Sequence, residues 1–330
     1  MNIGIMGTGS IAATMAATIS KMENAVLYAA ASRAVERAEK FADIHGVKRF
    51  YGSYEELVKD ENVELIYIAT PHSEHFENTM LCIENGKPVL CEKAFTVNAE
   101  EARKLKSAAY KNNVFLAEAI WTRYMPSRKI IDDLLCSGII GNVDTLTADL
   151  SYVIYDKKRL TDPYLAGGAL LDIGIYGINF AVMHFGKDIE RIDSSVKMTD
   201  TGVDGRESIT IHFKSGKMAV LTHSIYCRSD RKGIFHGDKG YIVVENINDP
   251  SEISVYDTND ELIRHMYVPE QISGYEYEVY EAMECIKNGR TESLSMPLDE
   301  SVFMMEVMDG IRRDWGLVYP KEKKRYCSTN

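Results

Sequence analysis

Residues 1–12, Met1-Asn2-Ile3-Gly4-Ile5-Met6-Gly7-Thr8-Gly9-Ser10-Ile11-Ala12, decide the reading of the chain. An apolar strand over 3–6 runs into a glycine-rich turn and then into an Ala/Thr/Met helix expected over about 11–22. Gly7 supplies the tight turn, Gly9 lets the backbone approach phosphates, and Ala12 lets the helix pack closely on the sheet. The helix N-terminus offers unpaired N–H groups and a partial positive charge, so this is a place to lay a pyrophosphate. A glycine turn also occurs without a ligand, and its meaning therefore depends on the next elements of the chain.

Those elements are a strand over 26–31 and a helix over about 35–44, which complete the strand-helix-strand unit that the turn requires. Where an NAD-selective site carries Asp or Glu for the ribose 2′-hydroxyl, this chain has Ser32 and Arg33, with Arg37 one helical turn on. A hydroxyl and guanidinium groups suit a 2′-phosphate, which favours NADP and leaves NAD as second choice. The alternative is that Arg33 only faces water at a helix start.

A short helix over 54–59 precedes the apolar run 65–69, which fits a parallel strand buried on both faces. It ends in Thr70-Pro71-His72, and Pro71 must turn the chain off the sheet at the carboxyl end of a strand, where ligands of open α/β sheets sit. His72 and His75 follow at a helix start and read either as polar lining of a cleft or as part of a metal site. The helix over 75–85 ends at Gly86, and a strand over 88–91 ends in Glu92-Lys93. Lys93, at the end of a core strand, is the first candidate for chemistry, since its ammonium can hold a substrate oxygen; the alternative is a surface lysine. A helix over 98–111 and a strand over 114–118 complete a doubly wound α/β Rossmann domain, expected over 1–120.

Beyond 120 the pattern changes, and 121–330 reads as a second, α+β domain. Trp121 to Pro126 lead into a helix ending at Gly138, and 143–155 alternates as a long strand. Ile209, Ile211 and Phe213 fall on one face with Thr210 and His212 on the other, and 218–222 repeats the alternation after a Ser215-Gly216 turn. With further strands over 189–198, 241–245, 253–256 and 262–267, the reading is a large open, mostly antiparallel sheet of five or six long strands with helices on one face. Within it, Ala166-Gly167-Gly168-Ala169-Leu170-Leu171-Asp172-Ile173-Gly174-Ile175-Tyr176 opens an apolar helix to about His184. Asp172 and Tyr176 are four apart and share a helical face, either as a hydrogen-bonded buried pair or as a proton-transfer face. Helices over 275–288 and 298–315 close the chain.

Across 330 residues, 45% hydrophobic and 26% charged content describes a chain with sizeable cores. A net charge of −11 argues against a nucleic-acid or anionic-membrane surface as main partner. No run approaches eighteen apolar residues, and no basic segment with a cleavage site opens the chain, so the expected location is the cytoplasm. Cys82, Cys91, Cys136, Cys227, Cys285 and Cys327 include no C-x-x-C and read as free thiols; no metal site is expected.

In order and spacing, the glycine turn, Ala69-Thr70-Pro71, Glu92-Lys93 and Gly167-Gly168-x-Leu170-x-Asp172-x-Gly174 together resemble the Gfo/Idh/MocA oxidoreductase family over nearly the whole chain. Glu118-Ala119-Ile120-Trp121-Thr122-Arg123 and Gly168 to Tyr176 look most like its dimeric dihydrodiol dehydrogenase branch, which also oxidises aldopyranoses such as xylose. The resemblance implies an NAD(P)-dependent dehydrogenase acting on CH–OH or CH–CH donors of a sugar, cyclic polyol or trans-dihydrodiol. It also implies a C-terminal sheet used for a homodimer or homotetramer. It assigns Lys93, Asp172 and Tyr176 to the catalytic group. Two departures stand out: Ala94 replaces the family's usual proline, and Tyr176 replaces the histidine of many members, which selects a branch.

The cofactor contacts expected on this basis are Gly7, Thr8, Gly9, Ser10 and Ile11 at the turn, Ser32, Arg33 and Arg37 beyond the second strand, and Ala69, Thr70, Pro71, His72 and His75 beyond the apolar run. Glu92, Lys93, Trp121 and Arg123 complete that set. The expected substrate contacts are His72, His75, Trp121, Arg123, Tyr152, Asp172 and Tyr176, with Trp121 equally readable as core. The rival readings are a catalytically silent dinucleotide-binding sensor of the same fold, and a hydrolase of the family's NAD-using glycosidase branch.

Overall fold

In this computed structural model the described residues are 1–322. Six parallel strands, β1 (Asn2–Met6), β2 (Val26–Ala31), β3 (Arg49–Tyr51), β4 (Leu65–Ile68), β5 (Val89–Glu92) and β6 (Leu116–Ala119), form a sheet in the order β3-β2-β1-β4-β5-β6. This is the dinucleotide-binding order, and the crossovers reverse direction between β1 and β4. Strands β4, β5 and β6 are buried along their whole length, the environment their apolar runs imply. The connecting helices are α1 (Ser10–Ile19), α2 (Val35–His45), α3 (Tyr54–Lys59), α4 (His75–Glu84) and α5 (Ala99–Asn112). Side-chain caps start two of them: Ser53 accepts from the Glu56 N–H, and Asn98 accepts from the Glu101 N–H. The three-residue β3 is too short to carry a periodicity and has no counterpart in the sequence reading.

The second sheet has eight strands, two more than the larger expected number: β7 (Val143–Ser151), β8 (Ile189–Met198), β9 (Asp204–Phe213), β10 (Met218–Ser224), β11 (Gly233–Gly237), β12 (Gly240–Val244), β13 (Glu252–Asp257) and β14 (Leu262–Tyr267). Their order is β14-β13-β12-β11-β7-β10-β9-β8, antiparallel throughout except for the parallel β7/β10 pair. Strand β11 escaped the sequence reading because glycine stands at both of its ends. Gly233 is needed there, since a Cβ would lie 2.6 Å from the ring of Phe180. The alternation in β9 holds, with Ile209, Ile211 and Phe213 buried and Thr210 and His212 half-buried.

Helix α6 (Pro126–Cys136) precedes this sheet; α7 (Lys158–Thr161) and α8 (Ile175–Phe185) lie between β7 and β8. The stretch Pro163–Phe185 is long and apolar enough, by length and composition, to cross a membrane, and 94% of its apolar window is buried inside the protein. It is the core element against which β7 and β10 pack.

The expected division at residue 120 needs correction. The described chain separates into one unit of Met1–Tyr124 with Gln271–Glu306, and another of Met125–Glu270 with 307–322. The physical reason is α9 (Glu276–Lys287), whose Val279, Ala282 and Cys285 join Ile3, Ile5, Leu65 and Tyr67 in the core of the parallel sheet. Glu276 secures the entry to this helix by accepting from the N–H groups of Ile272, Ser273 and Gly274. The chain passes from the first unit to the second within α10 (Leu298–Asp314).

Candidate active site

The first half of the site is the β1–α1 turn. The Gly7 N–H donates to the Ala31 carbonyl (2.9 Å), and the Ala69 N–H donates to the Met6 carbonyl (2.8 Å), so the carboxyl ends of β2, β1 and β4 are tied at the switch point. Gly7 has φ +107°, and a Cβ there would stand 2.6 Å from the Ala69 oxygen. Only glycine meets both conditions. Beside it Gly9 faces open space, with nothing within 4 Å of a would-be Cβ. As the N-cap of α1, Gly9 provides no side-chain cap, and the first turn holds no acidic residue. A diphosphate fits these residues: the uncapped N–H groups around Ser10 and Ile11 supply donors, and the backbone at Gly9 leaves room for it.

At the end of β2, Ser32 is buried, its N–H donating to the Tyr51 carbonyl (3.2 Å), while Arg33 and Arg37 are exposed. Neither arginine forms an ion pair among the described residues, and α2 likewise has no side-chain cap. The tip of β2 thus ends in Ser32 and Arg33, with Arg37 and the acidic Glu36 in the first turn of α2, where the adenosine ribose of a dinucleotide would lie.

The ends of β4, β5 and β6 carry the next candidates. Pro71 precedes a 3-10 turn over His72–Glu74, in which His72 stays partly exposed. His75 differs from the expectation of a cleft-lining group. It is fully buried, with Nδ1 2.8 Å from the Ala94 oxygen and Nε2 2.8 Å from the Thr70 oxygen. Its ring spans the loops that follow β4 and β5, and burial lowers its pKa against the pull of those carbonyls. Asn78 supports the same loop by donating to the Thr70 hydroxyl (3.0 Å). Lys93 is half-buried, its N–H donating to Glu92 (3.2 Å), and the Lys93–Ala94 peptide is cis. The Ala94 side chain is fully buried, so the residue that replaces the family's proline belongs to the interior.

Glu118 holds the loop beyond Lys93, accepting from the Phe95 N–H (3.1 Å). Burial pushes its pKa up to about 7, against the lowering effects of Ser301, Phe95 and Arg123. Glu92 accepts a short hydrogen bond from the buried Tyr67 hydroxyl, and burial together with the charge of Glu92 raises Glu278 well above the usual carboxylate range. Trp121 is buried and stacks on Tyr275, with ring centroids 4.3 Å apart and planes 5° from parallel. Arg123 is buried and pairs with Glu300 (3.4 Å). Of its two readings, Trp121 thus shows the packed one, and Arg123 is an interior cation rather than a group on an exposed rim.

In the second unit, the helix expected to run through Asp172 and Tyr176 contains a π-helical turn over Leu170–Gly174 before α8 begins. Such turns add one residue to the helix and often occur at functional sites. Asp172 and Tyr176 are both buried. Asp172 accepts a 2.6 Å ion-paired hydrogen bond from Arg159 of α7, a half-exposed side chain that no spacing in the sequence singled out. Tyr152, one residue beyond β7, lies under the guanidinium of Arg231, 5.8 Å from its ring centroid. Among the described residues no cluster of His, Cys, Asp and Glu could hold a metal ion.

A family model described as an oxidoreductase family with an NAD-binding Rossmann fold matches residues 1–119, and the Gfo/Idh/MocA C-terminal domain matches residues 129–243. The chain belongs to the Gfo/Idh/MocA family. This member is an oxidoreductase that uses a nicotinamide dinucleotide. It is 35% identical to the trans-1,2-dihydrobenzene-1,2-diol dehydrogenase of Mus musculus, over 97% of this chain and 98% of that one. The corresponding Homo sapiens dehydrogenase is 34% identical with the same coverage. Among solved structures, the 3-ketoreductase KijD10 of Actinomadura kijaniata, in complex with NADP and TDP-benzene, shares the fold with a TM-score of 0.87 at 22% identity, covering 95% of this chain and 97% of that one. The aldose-aldose oxidoreductase of Caulobacter crescentus gives a TM-score of 0.86 at 22% identity, with 95% and 96% covered.

The turn geometry makes one direct prediction for this family member. Gly7→Ala must move the Ala69 carbonyl or abandon φ +107°, a backbone cost of about 1–3 kcal/mol. Dinucleotide affinity, measured by nicotinamide fluorescence, should fall at least tenfold while Gly9→Ala, which meets no protein atom, leaves the thermal midpoint of the free protein unchanged.

Proposed function

We propose that this enzyme is an NADP-preferring dehydrogenase that moves a hydride between nicotinamide and a hydroxyl-bearing carbon of a cyclic diol or an aldopyranose. The observation that carries the reading is the buried Asp172, held by Arg159, one turn from the buried Tyr176 on a mostly apolar element. A buried acid and phenol set so close are suited to moving a proton, and the near-complete coverage of two dihydrodiol dehydrogenases at 34–35% identity points to the substrate class.

When bound, the dinucleotide accepts or returns the hydride at its nicotinamide. The chain's own groups handle the proton and the orientation. Tyr176 takes the proton of the reacting hydroxyl, and its ordinary pKa of about 10 calls for a cation to favour the phenolate; Lys93 is the lysine that the family resemblance assigns to the catalytic group. Asp172, fixed by its ion pair with Arg159, hydrogen-bonds the substrate. A silent sensor of this fold has no need of Lys93, Asp172 and Tyr176 together, which favours turnover. The test is a panel of aldoses, inositols, cyclic diols and dicarbonyls offered with NADP and with NAD, followed by nicotinamide absorbance. Absence of turnover with every compound would turn the assignment toward the sensor.

On a substrate from that panel, Lys93→Met and Tyr176→Phe should each lower kcat by about 10²–10⁴-fold, the range of a lost proton-transfer group, with dinucleotide affinity near normal. Wild-type kcat in both variants would refute the roles of the ammonium and the phenol. Arg33→Ala should raise KM for NADP by about tenfold, the equivalent of one charge-assisted contact of about 1.5 kcal/mol, with KM for NAD little changed.

We further infer a cytoplasmic homodimer or homotetramer built on the eight-stranded sheet. Support comes from the five described cysteines, all free, and from the half-exposed row Thr145, Thr147 and Asp149 on the sheet face turned away from the buried Leu146, Ala148 and Leu150. Sedimentation at a single-chain mass, or recovery outside the cytoplasmic fraction, would overturn these two assignments respectively.

A further inference from the structure

Three buried ionisable side chains of the second unit meet the segment that carries Asp172 and Tyr176, and neither the fold nor the reaction so far accounts for them. Asp204 and Glu207 come from β9 and His223 from β10, and all three have side chains removed from water. Asp204 Oδ2 accepts from the Leu170 N–H (2.6 Å), at the first residue of the π-helical turn. Glu207 interacts with Asp204, and its Oε1 is 3.0 Å from His223 Nδ1. The opposing segment is shaped to receive each of them. A Cβ at Gly168 would overlap Asp204 Oδ1, one at Gly174 would overlap Glu207 Oε1, and one at Gly177 would overlap His223 Nε2. Each acid or imidazole therefore occupies the space that a glycine leaves, and these glycines bracket Asp172 and Tyr176.

Burial of ionisable groups is costly, and apolar residues would fill the same space with less penalty. The Asp204–Leu170 hydrogen bond and the seating of each side chain in a glycine notch give what apolar packing does not, a unique register between two elements. We propose that Asp204, Glu207 and His223 are positioning residues that fix the π-helical turn and the start of α8, and so set the placement of Asp172 and Tyr176 for hydride transfer. This rests on the catalytic reading of those two residues under the proposed function.

The protonation of the cluster follows from its surroundings. Burial, reinforced by their mutual repulsion in the case of Asp204, raises both carboxyls to about 8, and burial lowers His223 to about 4. Around them stand Asp149 of β7, Tyr226 beyond β10, Tyr319, and the Arg312–Glu322 ion pair. Tyr319 is itself bound to the segment, donating to the Gly167 carbonyl (2.7 Å). A raised acid binds its proton more tightly in the folded chain. Its stabilisation is present at low pH and is lost as pH rises toward about 8. His223 acts in the opposite sense below its ordinary pKa near 6.5, so the carboxyls alone act above it.

The experiment compares dinucleotide binding, kcat and KM for Gly177→Ala, His223→Ala and the double variant, with Tyr176→Phe as reference, on the substrate selected by the panel. Gly177→Ala alone should lower kcat by about ten- to a hundredfold, the loss expected of a displaced catalytic group, with dinucleotide affinity unchanged. Removal of the imidazole in the double variant should restore most of that loss. A Gly177→Ala enzyme with wild-type kcat, or a double variant no more active than Gly177→Ala, overturns the positioning role. Wild-type kcat in Tyr176→Phe overturns instead the catalytic reading beneath it. Should Gly177→Ala fail to fold, Glu207→Gln keeps the shape and removes the titration. The thermal midpoint of the wild type relative to Glu207→Gln should then decline between pH 6.5 and pH 9, with a drop in kcat at constant dinucleotide affinity. A midpoint difference independent of pH, or an unchanged kcat, refutes the proposal.

Discussion

The close approach of the Gly7 backbone to the Ala69 carbonyl governs the dinucleotide-binding unit. Parallel strands β1 and β4 lie side by side, and the crossovers leave them in opposite directions, so a crevice opens at their carboxyl ends. The chain leaving β1 must turn in the space that the Ala69 oxygen allows, at a φ that a side chain would strain. With glycine there, α1 starts immediately above the sheet, its first N–H groups uncapped and free of nearby acids. The carboxyl end of the same sheet carries Lys93 and the tip of β2 on one side of this unit, because every parallel strand ends its run in the same direction.

Around these strand ends, buried polar groups hold the loops in a way that a binding surface would not need. The His75 ring spans the Thr70 and Ala94 carbonyls, Glu118 holds the Phe95 N–H, and Arg123 answers Glu300. Each ties a loop to another element. In the second unit Arg159 does the same for Asp172. A side chain that must act on a substrate has to be held in one orientation, and charged contacts within the protein provide that orientation at the cost of desolvation. This accounts for the ionisable groups buried beneath both functional segments, Glu92 and Glu118 on the parallel strands and Asp204, Glu207 and His223 on the second sheet.

Much of this was legible in the chain. The five expected strands of the Rossmann unit, all but β3, ended within two residues of their expected limits, because buried strands read as apolar runs between glycine, proline and polar breaks. The alternation of Ile209, Ile211 and Phe213 marked its strand for a related reason, one face of that sheet being buried and the other partly wet. The glycine turn, Lys93, Asp172 and Tyr176 stood out through short-range spacing. The illegible part depended on partners far away in sequence. No local pattern says that α9 buries Val279 and Ala282 against a sheet formed some two hundred residues earlier, nor that Trp121 stacks on Tyr275. The domain boundary was misplaced on that account, since a helix records which face is apolar but not which sheet covers it.

The sequence by itself determined the local commitments: where most strands and helices run, which turn must be glycine, and which side chains are candidates for proton transfer. Those follow from periodicity, φ restrictions and functional-group identity, each of which acts within a few residues. Tertiary structure alone decided that Gly168, Gly174 and Gly177 are notches for Asp204, Glu207 and His223, that Arg159 pins Asp172, and that His75 is an interior brace. Those are contacts between distant segments, set by how the strands and helices pack, and the identity of a buried residue does not reveal the group that will face it.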